Sequence, residues 1–139
     1  MKNIKIADFE TSNKIIENLA ISGADIIEIG MPFSDPLADG SIIQASSQKA
    51  IENGVTLNWI LKTVSDIRQQ SDIPLALMGY INPILKYGLK EFISNCRVVG
   101  VDGLIIPDLP PEEAEEYVKC SRENGISPIL LVAPNTPAK

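Results

Sequence analysis

The sequence predicts an α/β fold built on a parallel sheet, either a doubly wound sheet or a β/α barrel. A unit recurs four times in which Gly or Asp precedes a short apolar run, followed by a Pro-containing polar turn and an amphipathic stretch. Each run is apolar on both faces, the pattern of parallel strands buried under helices. Strands that alternate with helices join one sheet through right-handed crossovers. The last three runs begin at residues 73, 102 and 127, and repeats of about 25 to 30 residues fit a barrel. A full barrel needs eight units and typically about 250 residues, so the 139 residues here supply about half.

In chain order, a weak strand over residues 4–7 comes first. A helical pattern over 12–22 follows, with Ile15, Ile16 and Leu19 on one stripe. Residues 25–30 form the first clear strand, and a helix over 57–70 carries Ile60, Leu61, Val64 and Ile67 on its apolar face. Strands over 73–79 and 102–107 precede a helix over 111–124, with Pro111 at its first position and Glu112 and Glu113 in its first turn. That helix ends at Asn124-Gly125, where glycine supplies a left-handed cap, and Gly23, Gly54 and Gly100 read the same way. A strand over 127–133 closes the series, and no linker or low-complexity tract divides the chain, so one domain over 1–139 is expected.

Composition narrows the chemistry. The chain has no His, which removes Ser-His and Cys-His nucleophiles, and Cys96 and Cys120 stand outside any C-x-x-C, which removes a structural zinc site. Catalysis must then run on carboxylates, Tyr or Lys, and neither metal nor cofactor is expected. Twelve Lys+Arg against eighteen Asp+Glu give a net charge of −6 with no basic stripe, which argues against nucleic acid. No apolar stretch approaches the roughly 20 residues that span a bilayer, and Asp8 interrupts the region where a signal peptide would be apolar. The expectation is a soluble, intracellular protein with reduced thiols.

Two carboxylates stand out. Alternation in the strand over 25–30 puts Ile26, Glu28 and Gly30 on one face, so Glu28 is a carboxylate in the middle of a strand expected to be buried on both sides. Such burial costs several kcal/mol or raises the pKa until the group is protonated, the environment of a general acid/base. The alternative is a structural Glu paired with Lys or Arg, but the runs over 73–79, 102–107 and 127–133 contain neither. The loop over 31–40 (MPFSDPLADG) follows at the strand's C-terminal end, where β/α folds build their sites. Asp39, eleven positions beyond Glu28, can fold back beside it, while Asp35 and Asp39 serve equally well as turn or helix-cap residues. Tyr80 and Asn82 lie just past the strand over 73–79 at the same end, where a Tyr serves packing as readily as catalysis. No glycine-rich phosphate motif is present, Cys96 and Cys120 read as core residues, and Trp59 reads as core or interface.

These residues resemble a known family, the tryptophan synthase alpha chain, a barrel subunit that cleaves indole-3-glycerol phosphate. The matching segments are IEIGMPFSDPLADG at 27–40, LMGYINPI at 77–84, GVDGLIIPDLP at 100–110 and VAPNTP at 132–137, in order from about residue 11 onward. The resemblance implies a (β/α)8 TIM barrel of which the chain covers the part from strand one or two to strand five. It also implies Glu28 as acid/base and Asp39 as second catalytic carboxylate of a retro-aldol cleavage giving indole and glyceraldehyde 3-phosphate. Ile43, Met78, Ile105 and Leu131 match the family's apolar lining, with Tyr80 beside them as a substrate-binding residue, though barrel filling explains the aliphatic ones equally. The implied partners are the substrate and the tryptophan synthase beta chain, and the implied location is the cytoplasm, or the plastid stroma in an alga or plant.

Departures from the family shape the expectation. Ser41 stands where Pro is usual, the amino end lacks the leading helix and a convincing first strand, and the chain stops at Lys139 just after strand five. The family's phosphate site and closing loop belong to later strands, so little or no cleavage by this chain alone is expected. A second reading makes the chain a non-catalytic partner of the beta chain, toward which the SDPLADG loop and the loop after strand four lie in the family. A third, another phosphate-handling barrel lyase or isomerase, is disfavoured by the intact PFSDPLADG run. An open sheet edge at 127–133 also favours self-association.

Overall fold

The computed structural model describes residues 2–5, 9–132 and 134. The end of the strand expected over 4–7, the end of the one over 127–133 and most of the 132–137 motif lie outside the described residues.

The chain runs β1 (Lys2–Lys5), α1 (Phe9–Ile21), β2 (Ile27–Gly30), α2 (Ser41–Glu52), α3 (Leu57–Arg68), β3 (Leu75–Met78), α4 (Ile81–Tyr87), α5 (Leu89–Val99), β4 (Gly103–Ile105), α6 (Glu115–Glu123) and β5 (Ser127–Ile129). All neighbouring strands are parallel and the sheet order is β1-β2-β3-β4-β5. A doubly wound sheet reverses its order at a switch point, whereas here every strand adds beside its predecessor, the progression of a barrel wall. Among the described residues β5 pairs with β4 alone, and its Ser127 and Ile129 are exposed. Among the described residues no helix is long and apolar enough to cross a membrane.

Register defines two faces. Ile27 pairs with Leu75, and Ile29 with Leu77 and through it Leu104; these side chains are fully buried in one cluster with Ile60 and Val64 of α3 and Phe92 and Ile93 of α5. The other face carries Glu28, Ala76, Gly103 and Ser127 in one row, then Gly30, Met78, Ile105 and Ile129 in the next. Burial on both sides explains the doubly apolar runs of β2, β3 and β4, while the run expected to be buried at 127–133 is an exposed edge because only β4 pairs with it among the described residues.

The N-terminal ends of β3 and β4 are tied by Arg68, the last residue of α3. Its Nε donates to Gly100 O at 2.8 Å, its Nη1 to Ser71 O at 3.2 Å and Ile73 O at 2.5 Å, and its Nη2 to Asp102 Oδ2 at 2.5 Å. Asp102 Oδ2 also accepts the Leu75 N–H at 2.8 Å. The Asp before the β4 run thus joins two strands. Gly100, at φ +90°, ends α5 as expected, and a Cβ there would stand 3.1 Å from Arg68.

Several elements differ from expectation. α2 exposes no apolar stripe in sequence because only Ser47 and Ala50 of its twelve residues are fully buried. α4 is masked by Asn82-Pro83, but this Pro sits in the first turn, where its missing N–H loses no helical bond. α6 begins at Glu115 instead of Pro111: Glu113 N–H bonds Pro110 O and Ala114 N–H bonds Pro111 O, tighter i→i+3 contacts that make residues 110–114 a turn. The acids in its first turn are therefore Glu115 and Glu116.

Candidate active site

Glu28 lies on the inner face of β2 and is 4% exposed. In its row the neighbours are Ala76 and Gly103, and a Cβ at Gly103 would stand 3.0 Å from Ile129 Cδ1, so this face of the sheet is closely packed. Burial pushes the Glu28 carboxyl above the ordinary value of 4.5. Desolvation disfavours the charged form, which makes this carboxylate a stronger base than a solvated one.

The loop over 31–40 leaves β2 and folds back over the end of β3. Met31 N–H donates to Met78 O at 2.7 Å, continuing the ladder one residue beyond the strand. Farther along, Ala38 N–H donates to the Tyr80 hydroxyl oxygen at 2.9 Å, and the Phe33 and Tyr80 rings lie 5.4 Å apart at 36°. Gln44 of α2 secures the end of the loop by donating from Nε2 to Asp39 O at 2.9 Å. Helix α2 takes Gly40 as its N-cap, and Asp39 and Tyr80 line one cleft. Burial first, then the charge of Asp39, pushes the Tyr80 phenol up, against the Ala38 N–H, which pulls it down.

Asp39, Met78 and Tyr80 thus meet at one small cleft of about 20 Å³, completed by Gly30, Met31, Gly79 and Pro107. Room for about one water remains there. Glu28 stands one row deeper on the same face, two residues before Gly30, and buried Ile105 lies beside Met78 in register. Ile43 is half-buried in the first turn of α2, and Asn82 is exposed. Leu131 is not part of this group: it lies past the short edge strand β5 and is 54% exposed. Asp108, quoted in the sequence only as part of a motif, accepts the Ile81 N–H at 3.0 Å and so fixes the residue after Tyr80. Its signal was the P-D-L-P turn just beyond a strand end.

The remaining candidates are structural. Cys96 is fully buried and its thiol is pushed up to about 12 by burial; Cys120 is buried too, and both are free thiols. Trp59 is half-buried and packs against the core.

The family model of the tryptophan synthase alpha chain matches residues 5–139. The chain belongs to the tryptophan synthase alpha chain family. The alpha chain of Petrotoga mobilis is 55% identical over 129 residues, covering 93% of this chain and 50% of its own length. That of Geotalea uraniireducens is 50% identical, with 93% and 48% covered. Among solved structures, the Legionella pneumophila tryptophan synthase alpha subunit superposes with a TM-score of 0.93 at 36% identity, covering 98% of this chain and 52% of that one. A tryptophan synthase complex from Pyrococcus furiosus gives 0.90 at 38% identity, with 98% and 56% covered. The chain spans about half the length of the curated relatives it matches. Its five parallel strands are part of the alpha chain family's TIM barrel.

Proposed function

We propose that this chain carries the carboxylate pair of a tryptophan synthase alpha-type lyase, which cleaves indole-3-glycerol phosphate to indole and glyceraldehyde 3-phosphate. The observation that carries the reading is Glu28, a carboxylate 4% exposed on the inner face of a barrel strand and made more basic by burial. In the reaction a proton is added at indole C3, and the positive charge that develops on the ring nitrogen is stabilised by Asp39. Glu28 takes the proton of the adjacent glycerol hydroxyl. The O–H electrons become the aldehyde C=O, the C–C bond breaks, and its electron pair restores the indole ring, with no net oxidation. Met78 and Ile105, with Ile43 toward the rim, supply apolar contact for the ring, and Tyr80 stands beside them. The same reading makes residues 1–139 one partial barrel domain, names the beta chain as partner and places the protein in the cytoplasm. It also includes self-association through the β5 edge.

A second reading, docking on a beta chain without catalysis, is favoured by one observation: Leu37 and Ile42, flanking Asp39, are 90% and 83% exposed. Single-turnover indole release, with protein in excess over substrate, decides between them because it registers slow cleavage. Release that falls about 100- to 10,000-fold in Glu28→Gln supports the lyase. If ligand-observed NMR shows the substrate bound and no indole forms, the second reading replaces the first.

A further inference from the structure

We infer that Tyr80 is the positioning residue for Asp39, its single phenol oxygen receiving the Ala38 N–H and donating to the Asp39 side chain so that the loop over 31–40 is fastened to the end of β3. The inference rests on the catalytic reading of Asp39 given above.

Four observations converge. The Ala38 N–H held by Tyr80 is adjacent to Asp39, which lines the same cleft as Tyr80, and the anchor lies 42 positions away on a different strand end, so the contact is tertiary and not a local turn. Tyr80 is buried, which limits the water that competes for its hydroxyl to what the small cleft admits. Its ring is backed by Phe33 from the start of the same loop. The residue after it is held by Asp108. A phenol has one proton to give and lone pairs to receive, and the neutral form alone does both. The charged groups beside the hydroxyl are Asp39 and Asp108; both favour the neutral form, as does burial, so the tether persists through the neutral pH range.

The need for such an anchor follows from the loop itself. Leu37 and Gly40 on either side of Ala38 and Asp39 are exposed, so these residues have little packing of their own to restrict them. A carboxylate that must stabilise charge on a ring nitrogen works only when held close to its working position.

Hydrogen exchange on the whole chain tests the tether first, without any variant: the Ala38 amide is expected to exchange at least tenfold more slowly than that of Leu37. In Tyr80→Phe, which keeps the ring and its contact with Phe33, Ala38 exchange should accelerate at least tenfold while Leu77 in the core is unchanged. Single-turnover indole release by Tyr80→Phe should fall at least tenfold at saturation, with the half-saturating substrate concentration within twofold of the parent. Adding Asp39→Asn to Tyr80→Phe should lower the rate no further than Asp39→Asn alone. An Ala38 amide as fast as Leu37, or a Tyr80→Phe protein with the parent's rate where Asp39→Asn has lost it, overturns the inference. An Asp39→Asn protein as active as the parent instead removes the catalytic reading, and with it this inference, whatever Tyr80→Phe does.

Discussion

Replacing Gly79 with Ala puts one methyl group where the loop over 31–40 meets the sheet. An ideal Cβ at Gly79 lies 2.8 Å from both Cβ and Cε of Met31 and 3.4 Å from its carbonyl oxygen. Carbon atoms in contact prefer about 3.5–4.0 Å, so the overlap approaches 1 Å. Met31 Cε can swing aside, but its Cβ moves only with the backbone. That backbone is held by the Met31 N–H to Met78 O bond, and Gly79 is held by its own N–H to Ile105 O at 3.1 Å. Overpacking of this kind costs about 1–3 kcal/mol, and the smaller entropy of the unfolded Ala chain offsets about 0.4–1 kcal/mol of it. Taken at mid-range the two leave a net loss of about 1.3 kcal/mol, a fall in Tm of roughly 3–6 °C for a chain of this size. Thermal and urea unfolding measure it, with Gly40→Ser as control, because a Cβ at Gly40 meets nothing within 4 Å. Ser there also supplies the side-chain cap that α2 lacks, a gain of a few tenths of a kcal/mol. Equal stability of Gly79→Ala and the parent would refute the close approach of Met31 and with it the packing of the loop against β3.

Two further outcomes concern charge. The Glu28 carboxyl is raised in the folded protein by desolvation, so its contribution favours folding below the unfolded value and is lost as pH rises through the folded one. Glu28→Gln should therefore have a higher Tm than the parent at neutral pH, with the gap closing below the ordinary value of 4.5; a lower Tm at neutral pH would contradict the burial argument. Arg68→Ala removes donors to three backbone carbonyls and to Asp102, and should cost about 2–4 kcal/mol in urea unfolding. Asp102→Asn should cost less, because its side chain is 57% exposed and the ion pair is screened. An Arg68→Ala loss below about 0.5 kcal/mol, the range of ordinary surface changes, would show that the clamp does not hold the strand ends.

Strands β2, β3 and β4 were legible because burial on both faces writes a doubly apolar run, and Glu28 was conspicuous because it breaks that run. Helix α2 was illegible for the converse reason, since a helix that buries little beyond Ser47 and Ala50 has no stripe to find. The start of α6 was misplaced because Pro111 followed by two acids satisfies the local rules for a helix start, yet the chain first makes a tighter turn. Asp39 could be read locally as a cap or as a site residue. Its place in one cleft with Tyr80 depends on a fold-back across 41 positions, which no spacing rule encodes. Leu131 illustrates the limit of alternation: it follows Ile129 on the inner face by period, but β5 ends at Ile129 and the side chain is left in solvent.

The pH dependence of single-turnover indole release, measured on the parent chain with Glu28→Gln alongside, tests the role of Glu28 most directly. The expected result is a rate that rises with pH through a midpoint above 4.5, the ionisation of a buried carboxyl, and a Glu28→Gln protein that has lost both the rise and at least 99% of the rate, the lower bound of about 100-fold for a general base. A Glu28→Gln protein that cleaves as fast as the parent across the same range would contradict it.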